Sequence, residues 1–191
     1  EEALPAADRA RFLEHIRGQV ERVQELIQRL LDLAAIENLS GLKDRSDILV
    51  APLTRRLIEG LRPLATQAGV KIESSIRGTP NLRGDAFLLQ TAIHNLVKNA
   101  IECSPPGSAV RLSAGQEGDH ILIRVRDLGP GIPEYARNKV FDRFYTLPKP
   151  EGRTGSGLGL SFVKEIASLF SGSVTLRSPG EAAPWPKSDC R

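Results

Sequence analysis

The feature that most constrains this sequence is a run of alternating glycines that leads directly into an apolar, helix-like pattern. Gly155, Gly157 and Gly159 precede apolar residues at helical spacing, namely Leu160, Val163, Ile166, Ala167 and Phe170. Glycine permits positive φ angles and the close approach of another backbone or a ligand. A helix that starts at such a turn exposes unpaired N–H groups, which favour an anion such as phosphate. A loop before an ordinary surface helix would show the same pattern, so the remaining sequence has to distinguish the two.

Composition restricts the class of protein. The chain has 191 residues, of which 40% are hydrophobic and 26% are charged, as is typical of one or two small globular domains. The net charge of +3 is mild and dispersed, so it does not indicate nucleic acid binding, whereas an anionic nucleotide is compatible with it. Two cysteines are too few for a disulfide framework or a zinc cluster. Because the chain begins at Glu1 and contains no methionine, we expect it to be an excised part of a longer protein.

A long amphipathic helix is predicted over Pro5–Asn38. Its apolar stripe alternates between steps of three and four residues, through Phe12, Ile16, Gln19, Val23, Leu26, Leu30, Leu33 and Glu37. Such a stripe needs a partner helix, and no similar helix follows nearby. We therefore expect a bundle that is completed by missing sequence, by a second copy of the chain, or by both. His15 lies in this helix, and we interpret it as a solvent-facing or seam-edge residue.

Strand-like and helix-like segments then alternate after a polar linker. The pattern predicts, in order, a strand at Ile48–Val50, a helix from Pro52 to Ala68 ended by Gly69, a strand with Val70, Ile72 and Ile76, a short strand at Asn81–Gly84, a helix at Ala86–Cys103 capped by Asp85, strands at Ala109–Ala114 and His120–Asp127 joined by the turn GQEGD, a short helix over Glu134–Val140, and a final strand at Ser171–Arg177.

The helix at Ala86–Cys103 carries two carboxamides on a largely apolar pattern. Asn95 and Asn99 stand four residues apart and therefore share one face. Two amides on such a helix are costly unless something polar faces them, and an amide oxygen suits a hydrated magnesium ion that carries nucleotide phosphates. Lys98 lies beside them and could reach a phosphate. The alternatives are two surface asparagines that bridge to solvent and a solvated lysine.

A second glycine turn follows the strand that ends at Asp127. In the sequence DLGPGIP, Gly129 and Gly131 come directly after this acid. A carboxylate at a strand end can accept a hydrogen bond from an exocyclic amine, while the glycines leave room for a flat ring. An ordinary turn that starts with aspartate, between a strand and a helix, fits the same residues.

A polar segment, residues 146–155, separates the two glycine turns. Its sequence TLPKPEGRTG is rich in proline, glycine and charge, so we predict a mobile lid rather than a packed element. Lys149 and Arg153 could close from this lid on phosphates, or could be solvated lid charges. Phe141 and Phe144, in the sequence FDRFY, immediately precede it.

Four sequence blocks, HNLVKNA, DLGPGI, FDRFY and GSGLGL, occur in this order. Together they resemble the N, G1, F and G2 boxes of two-component sensor histidine kinases, and the resemblance covers Ile48–Arg177. It implies an α+β fold, the Bergerat-type (GHKL) two-layer α/β sandwich with a mixed sheet under three helices. The preceding helix resembles the second helix of the dimerisation and phosphotransfer domain. The implied domains are 1–38 for this helix, 39–47 for the linker, 48–178 for the catalytic ATP-binding domain and 179–191 for an irregular tail.

The resemblance implies an ATP site that contains magnesium. Asn99 would ligate Mg²⁺, Asn95 would help to hold the phosphates, and Asp127 would accept a hydrogen bond from the adenine amine. The other expected nucleotide-binding residues shape the adenine pocket, anchor the base of the lid, contact phosphates or place the next helix against them: Lys98, Gly129, Gly131, Phe141, Phe144, Lys149, Arg153, Gly155, Gly157, Leu158, Gly159 and Leu160.

The implied activity is transfer of the γ-phosphoryl group of ATP to a histidine, and from there to an aspartate of a response regulator. None of His15, His94 and His120 has the acidic residue and proline that follow the acceptor in this family, so we expect the acceptor upstream and assign no catalytic residue. The implied partners are a second copy of the chain, through the helical bundle, and a response regulator receiver domain, without nucleic acid. The implied location is the cytoplasmic side of an inner-membrane sensor protein.

Two departures from the family pattern stand out. Glu102 occupies a position where relatives often carry a phosphate-contacting lysine. The family usually closes its sheet with one more strand after the one predicted at Ser171–Arg177. The tail of residues 179–191 contains three prolines and is not expected to supply that strand. Two other functions fit the same blocks: a related ATPase or serine kinase, and a nucleotide-binding module without catalytic turnover that regulates a partner.

Overall fold

The computed structural model describes residues 8–9, 11–20, 23, 27, 45–147 and 157–177. The chain divides into two compact units, Glu1–Ser40 and Gly41–Arg191. In the first unit, all described residues are helical, and the apolar side chains among them are exposed: Phe12, Leu13, Ile16, Val20, Val23 and Ile27. The remainder of the predicted stripe, including Leu26, Leu30 and Leu33, lies outside the described residues.

The second unit contains the strands and the other helices. In chain order these are β1 (Ser46–Leu49), α1 (Val50–Gln67), β2 (Lys71–Ile76), β3 (Asn81–Gly84), α2 (Ala86–Cys103), β4 (Ala109–Glu117), β5 (His120–Arg126), one 3₁₀ turn (Glu134–Ala136) and α3 (Gly159–Leu169). β2, β4 and β5 form a sheet in that order, in which β2 is parallel to β4 and β5 is antiparallel to it. β1 and β3 form a separate antiparallel pair. The predicted α+β architecture with a mixed sheet is therefore confirmed.

The hydrophobic core lies where α1 and α2 cover the sheet. α1 contributes Leu53, Leu57 and Leu61 to it. The deepest side chains of α2 and β4 are Val97, Ile101, Val110 and Leu112, which are at most 1% exposed. Burial of one such side chain contributes about 1.5–3 kcal/mol, so this layer holds α2 against the sheet.

Local sequence signals explain where the helices begin and end. Gly69, with φ of +66°, follows α1, and its N–H donates to the carbonyl of Thr66 while Val70 N–H donates to that of Ala65. This pair of bonds is a Schellman motif, which requires a left-handed residue that glycine supplies without strain. The Asp85 carboxylate accepts hydrogen bonds from the N–H groups of Phe87 and Leu88, so it caps α2 as predicted.

Several predicted boundaries were wrong. The first strand is Ser46–Leu49, and Val50 already starts α1, with Pro52 in its first turn. β4 extends to Glu117, so the predicted loop GQEGD shrinks to the two residues between Glu117 and His120, because Gln116 pairs with Ile121 and Gly115 with Leu122. Gly118 has φ of +60°, as a two-residue hairpin turn with glycine in its first central position requires.

Two elements that were predicted later in the chain also differ from the structure. The helix expected over Glu134–Val140 is a single 3₁₀ turn, Glu134–Ala136, and residues 137–140 continue as turns. The final strand expected at Ser171–Arg177 is not assigned, since this described segment joins no strand ladder. α3 ends instead in a left-handed residue, Ser171, with φ of +54°, and Gly172 N–H donates to the Ala167 carbonyl.

Candidate functional site

The two predicted carboxamides lie on one face of α2. Asn95 and Asn99 are both partly buried, which a pair of solvent-bridging surface residues would not require. The Asn95 Nδ2 donates to the carbonyl of Thr91 at 3.0 Å, one helical turn earlier. This bond fixes the orientation of the Asn95 amide and leaves its Oδ1 available to accept from the other side.

The first residue of α3 lies directly against these two amides. A β carbon at Gly159 would stand 3.3 Å from Asn95 Oδ1 and 3.3 Å from Asn99 Nδ2. Any side chain at this position would make the two amides shift by a few tenths of an ångström, so glycine lets α3 begin this close to α2 without such a shift. The N-cap residue Leu158 supplies no side-chain hydrogen bond to the first turn of α3, and its own side chain is buried. The structure therefore places the N–H groups of a helix start beside two partly buried amides.

Gly157 is held by the segment that precedes the predicted lid. Its φ is +70°, and a β carbon there would stand 2.7 Å from Phe144 Cα and 2.7 Å from Tyr145 N. The Phe144 N–H donates to the Gly157 carbonyl at 2.9 Å. The Phe144 backbone thus makes the contact, while its ring is 67% exposed. Glycine is required at 157 both for the backbone angle and for the close approach.

Asp127 and Gly129 meet the carboxyl-terminal end of α2. Gly129 N–H donates to Asp127 Oδ1 at 2.8 Å, which is the side-chain turn that aspartate often forms. A β carbon at Gly129 would stand 2.8 Å from the Cys103 carbonyl oxygen. Gly131 adds a left-handed residue with φ of +76°. Because Asp127 uses one oxygen for this turn, the second oxygen remains to accept another hydrogen bond.

Charged side chains surround these residues. Lys98 Nζ lies 3.9 Å from Glu102 Oε1 on α2, and both side chains are about one-quarter exposed. Glu102 therefore lies beside the neighbouring cation. Phe141 is partly buried, and Lys164 Nζ lies 5.9 Å from its ring centroid. Arg143 Nη2 donates to Glu165 Oε1 at 2.8 Å.

The structure brings five of the fifteen predicted site residues into two groups. Asn95, Asn99 and Gly159 form the first, and Asp127 with Gly129 forms the second at the end of the same helix. The predicted residues Lys149, Arg153 and Gly155 lie outside the described residues, and Leu160 is partly buried in the first turn of α3. Sequence reasoning missed two pairs, Arg143 with Glu165 and Phe141 with Lys164, since no spacing in the sequence relates these positions.

The donor set fits a divalent cation only if other ligands complete it. Within the described parts of the chain, no group of three or more His, Cys, Asp or Glu side chains could hold a metal ion. Amide oxygens on α2 are present, and Mg²⁺ commonly takes only one or two ligands from protein while phosphates and water supply the others. Among the residues that the structure describes, no helix combines the length and the apolarity needed to cross a membrane.

Comparison with known proteins places this arrangement in a family. The family model described as histidine kinase-, DNA gyrase B-, and HSP90-like ATPase matches residues 84–183, which is more than half of the chain. That range contains α2, Asp127, both glycine turns and α3. The residues that form the site are therefore the ones that the family model covers.

The similar proteins are sensor kinases. The sensor protein CreC of Escherichia coli K12 is 39% identical over 178 residues, covering 90% of this chain and 36% of CreC. The sensor-like histidine kinase SenX3 of Mycobacterium tuberculosis H37Rv is 33% identical over 173 residues, covering 89% of this chain and 42% of SenX3. The chain thus spans less than half the length of these relatives.

A solved structure supports the same assignment. The mycobacterial sensor histidine kinase MprB is 29% identical, with a TM-score of 0.59 over 67% of this chain and 81% of the MprB chain. The chain belongs to the family of histidine kinase-, DNA gyrase B- and HSP90-like ATPases, and it carries the ATP-binding catalytic domain of a two-component sensor histidine kinase.

Proposed function

We propose that this chain binds ATP with Mg²⁺ between α2 and α3 and transfers the γ-phosphoryl group to a histidine of a separate helical segment. The observation that carries the proposal is the contact of Gly159 with Asn95 and Asn99. A β carbon built at this glycine would stand 3.3 Å from an atom of either amide. This contact brings the N–H groups of a helix start next to two amides. Such an arrangement favours phosphate, because both the unpaired donors and the helix dipole attract an anion.

The adenine end of the nucleotide would lie at the carboxyl-terminal end of α2, one helical turn beyond Asn99. The second carboxylate oxygen of Asp127 is an acceptor for the adenine amine, since the first is bound to Gly129 N–H. Gly129 approaches the Cys103 carbonyl so closely that a side chain there would clash with it, so glycine lets this turn pack against the end of α2. Successive turns in the carboxyl-terminal half of α2 would therefore serve phosphate recognition and base recognition.

Asn99 is the residue of this chain that would ligate the metal, and Asn95 would support the phosphates. A bound Mg²⁺ neutralises phosphate charge and orients the γ-phosphoryl group for in-line attack. In such a transfer the protein mainly positions groups and stabilises developing charge, which fits a site made of amides, glycine N–H groups and cations. Lys98, Lys149 and Arg153 are proposed as the phosphate-contacting cations.

The proposed acceptor and partners lie outside this chain's described residues. The nucleophile would be a neutral imidazole, and the phosphoramidate would pass to an aspartate of a response regulator. We also propose that the exposed apolar side chains of the N-terminal helix pack against a second copy, which buries the stripe that includes Phe12, Ile16 and Val23. The parent protein is proposed to be membrane-associated, like the sensors that it resembles.

Nucleotide titration tests the metal role. We expect the 191-residue chain to bind a non-hydrolysable ATP analogue in a Mg²⁺-dependent manner, and Asn99→Ala to weaken that binding at least about tenfold, which is the loss of roughly 1.4 kcal/mol. Asn81→Ala, at an exposed position at the start of β3, is the matched control and should bind as the unsubstituted chain does. Equal affinity in Asn99→Ala would exclude the metal role.

Label transfer tests the reaction. The chain, ATP labelled at the γ position, and a sensor-kinase domain that contains the acceptor helix should together give an acid-labile, base-stable label on the acceptor. Acid-stable label would indicate a serine kinase. Bound nucleotide without any label would indicate a module that regulates a partner rather than an enzyme.

A further inference from the structure

Residues 141–144 are joined to residues 157–165 by three contacts, which together we name the neck. Arg143 Nη2 donates to Glu165 Oε1 at 2.8 Å, and Lys164 Nζ lies over the Phe141 ring at 5.9 Å from its centroid. The Phe144 N–H donates to the Gly157 carbonyl at 2.9 Å. Two of the three contacts involve Lys164 and Glu165, which lie one to two turns beyond the start of α3. The neck therefore holds residues 141–144 beside that helix.

One backbone angle in the neck is strained. Phe144 has φ of +68°, a value that a bulky side chain rarely adopts and that persists only where surrounding contacts hold it. Its neighbours supply those contacts: Arg143 is bound to Glu165, and Phe144 itself is bound to Gly157. If the Arg143–Glu165 pair were lost, we expect the segment to relax away from the left-handed conformation.

Such a relaxation would reach the site within two residues. Gly157 packs against Phe144 Cα and Tyr145 N, and Gly159 packs against the amides of Asn95 and Asn99. Phe144 and the two amides therefore contact the same short stretch of backbone, residues 157–159. A shift of residues 141–144 along α3 moves Gly157 and, with it, the helix start that faces α2.

We infer that Arg143 and Glu165 are positioning residues for nucleotide binding, which hold the start of α3 against Asn95 and Asn99. The inference rests on the proposed function and adds the residues that set the geometry of the site. The pair is exposed, with 44% and 31% of its side chains accessible, so it contributes little to the free energy of unfolding. Its removal should therefore change nucleotide affinity more than stability.

A matched set of variants tests this in the full 191-residue chain. The variants are Arg143→Ala, Glu165→Ala, the charge swap Arg143→Glu with Glu165→Arg, and Arg111→Ala as control. Arg111 pairs with Glu73 at the same 2.8 Å and is also 44% exposed, but it lies on β4 in the sheet. Titration with a non-hydrolysable ATP analogue and Mg²⁺ gives affinity, and urea unfolding gives stability.

We expect Arg143→Ala and Glu165→Ala each to weaken binding about three- to fivefold, and the charge swap to recover affinity to within about twofold. Arg111→Ala should keep full affinity, and its urea midpoint should equal that of Arg143→Ala. Failure of the unsubstituted chain to bind the analogue would count against the proposed function, and thereby against the inference built on it.

Three results would overturn the inference alone. Arg143→Ala with the affinity of Arg111→Ala would show that the pair does not position the site. A charge swap that binds more weakly than either alanine variant would show that Arg143 contacts the nucleotide directly. Should an alanine variant unfold, Glu165→Gln replaces it, and unchanged affinity in that near-isosteric variant would contradict the inference equally.

Discussion

The two sides of α2 are built in opposite ways. Val97 and Ile101 belong to the core with Leu112 of β4, where side chains fill all the space and are at most 1% exposed. Asn95 and Asn99 instead face Gly159, whose missing side chain lets the start of α3 approach these amides closely. Removing atoms from the core should therefore lower the free energy of unfolding, whereas adding atoms at the candidate site should lower nucleotide affinity. Substitutions of both kinds test this contrast.

The largest effect is expected from Leu112→Ala. Leu112 is fully buried, so its truncation should lower the free energy of unfolding by about 2–5 kcal/mol, through lost transfer energy and a cavity. Urea or guanidinium unfolding measures this change, and Leu112→Ile is the control, with an expected cost below about 1.5 kcal/mol. The affinity of the folded fraction for an ATP analogue should stay within twofold. A loss of affinity beyond the loss of folded protein would mean that core and site are not independent.

Gly157→Ala should have the next largest effect, and on binding rather than on stability. The new methyl group would stand 2.7 Å from Phe144 Cα, at a backbone with φ of +70°, so the segment has to move. We expect nucleotide affinity to fall more than about tenfold, because movement of this segment shifts the start of α3 away from the two amides of α2. Gly118→Ala is the matched control, since it has φ of +60° and nothing within 4 Å. If both variants bind alike, strain at 157 does not reach the site.

Gly69→Ala applies the same kind of substitution on the core side. Gly69 has φ of +66°, and a β carbon would stand 3.3 Å from Pro106 Cβ at the Schellman turn after α1. We expect a loss of about 1–2 kcal/mol in the free energy of unfolding, with unchanged affinity for the nucleotide analogue. Thermal or chemical unfolding of Gly69→Ala beside Gly60→Ala, at a helical glycine with open space around it, provides the comparison. Weaker nucleotide binding in Gly69→Ala would contradict the separation of the two regions.

The smallest effect is expected from Gly159→Ala. Its methyl group would stand 3.3 Å from both amides, which are side-chain ends that can rotate by a few tenths of an ångström. Alanine also favours a helix over glycine by up to about 1 kcal/mol, so stability should change by less than about 0.5 kcal/mol. Nucleotide affinity should nevertheless fall about three- to fivefold, because the rotated amides no longer face the ligand. Calorimetric titration would detect this, and unchanged affinity would remove Gly159 from the site.

Local signals made much of the fold predictable from sequence. α2 was predicted with its observed bounds because Asp85 caps its start and Pro105 and Pro106 follow its end. β4 was predicted too short, because the local sequence of Gly115, Gln116 and Glu117 is typical of a turn. Pairing with β5 nevertheless keeps these residues extended. The strand predicted at Ser171–Arg177 failed for the complementary reason: a strand needs a partner, and no local pattern supplies one.

The site was less accessible to sequence reasoning. The amides and the glycines each suggested a phosphate ligand, but only the family resemblance indicated that residues so far apart in sequence would meet. The contact of Gly159 with Asn95 and Asn99 depends on how α3 packs on α2, which is a long-range property. The pair of Arg143 and Glu165 could not be predicted at all, because exposed charges leave no periodic signal.

The two-residue turn between β4 and β5 is a suitable position for attaching a label to this domain. β5 runs antiparallel to β4, so Gly118 and Asp119 lie at the end of the hairpin remote from Asp127, at roughly 20 Å along the strand. A fluorophore attached at residue 119, or a short peptide tag spliced in after Gly118, would sit far from the nucleotide. Such a reporter could follow loading and release by this domain in real time without obstructing it.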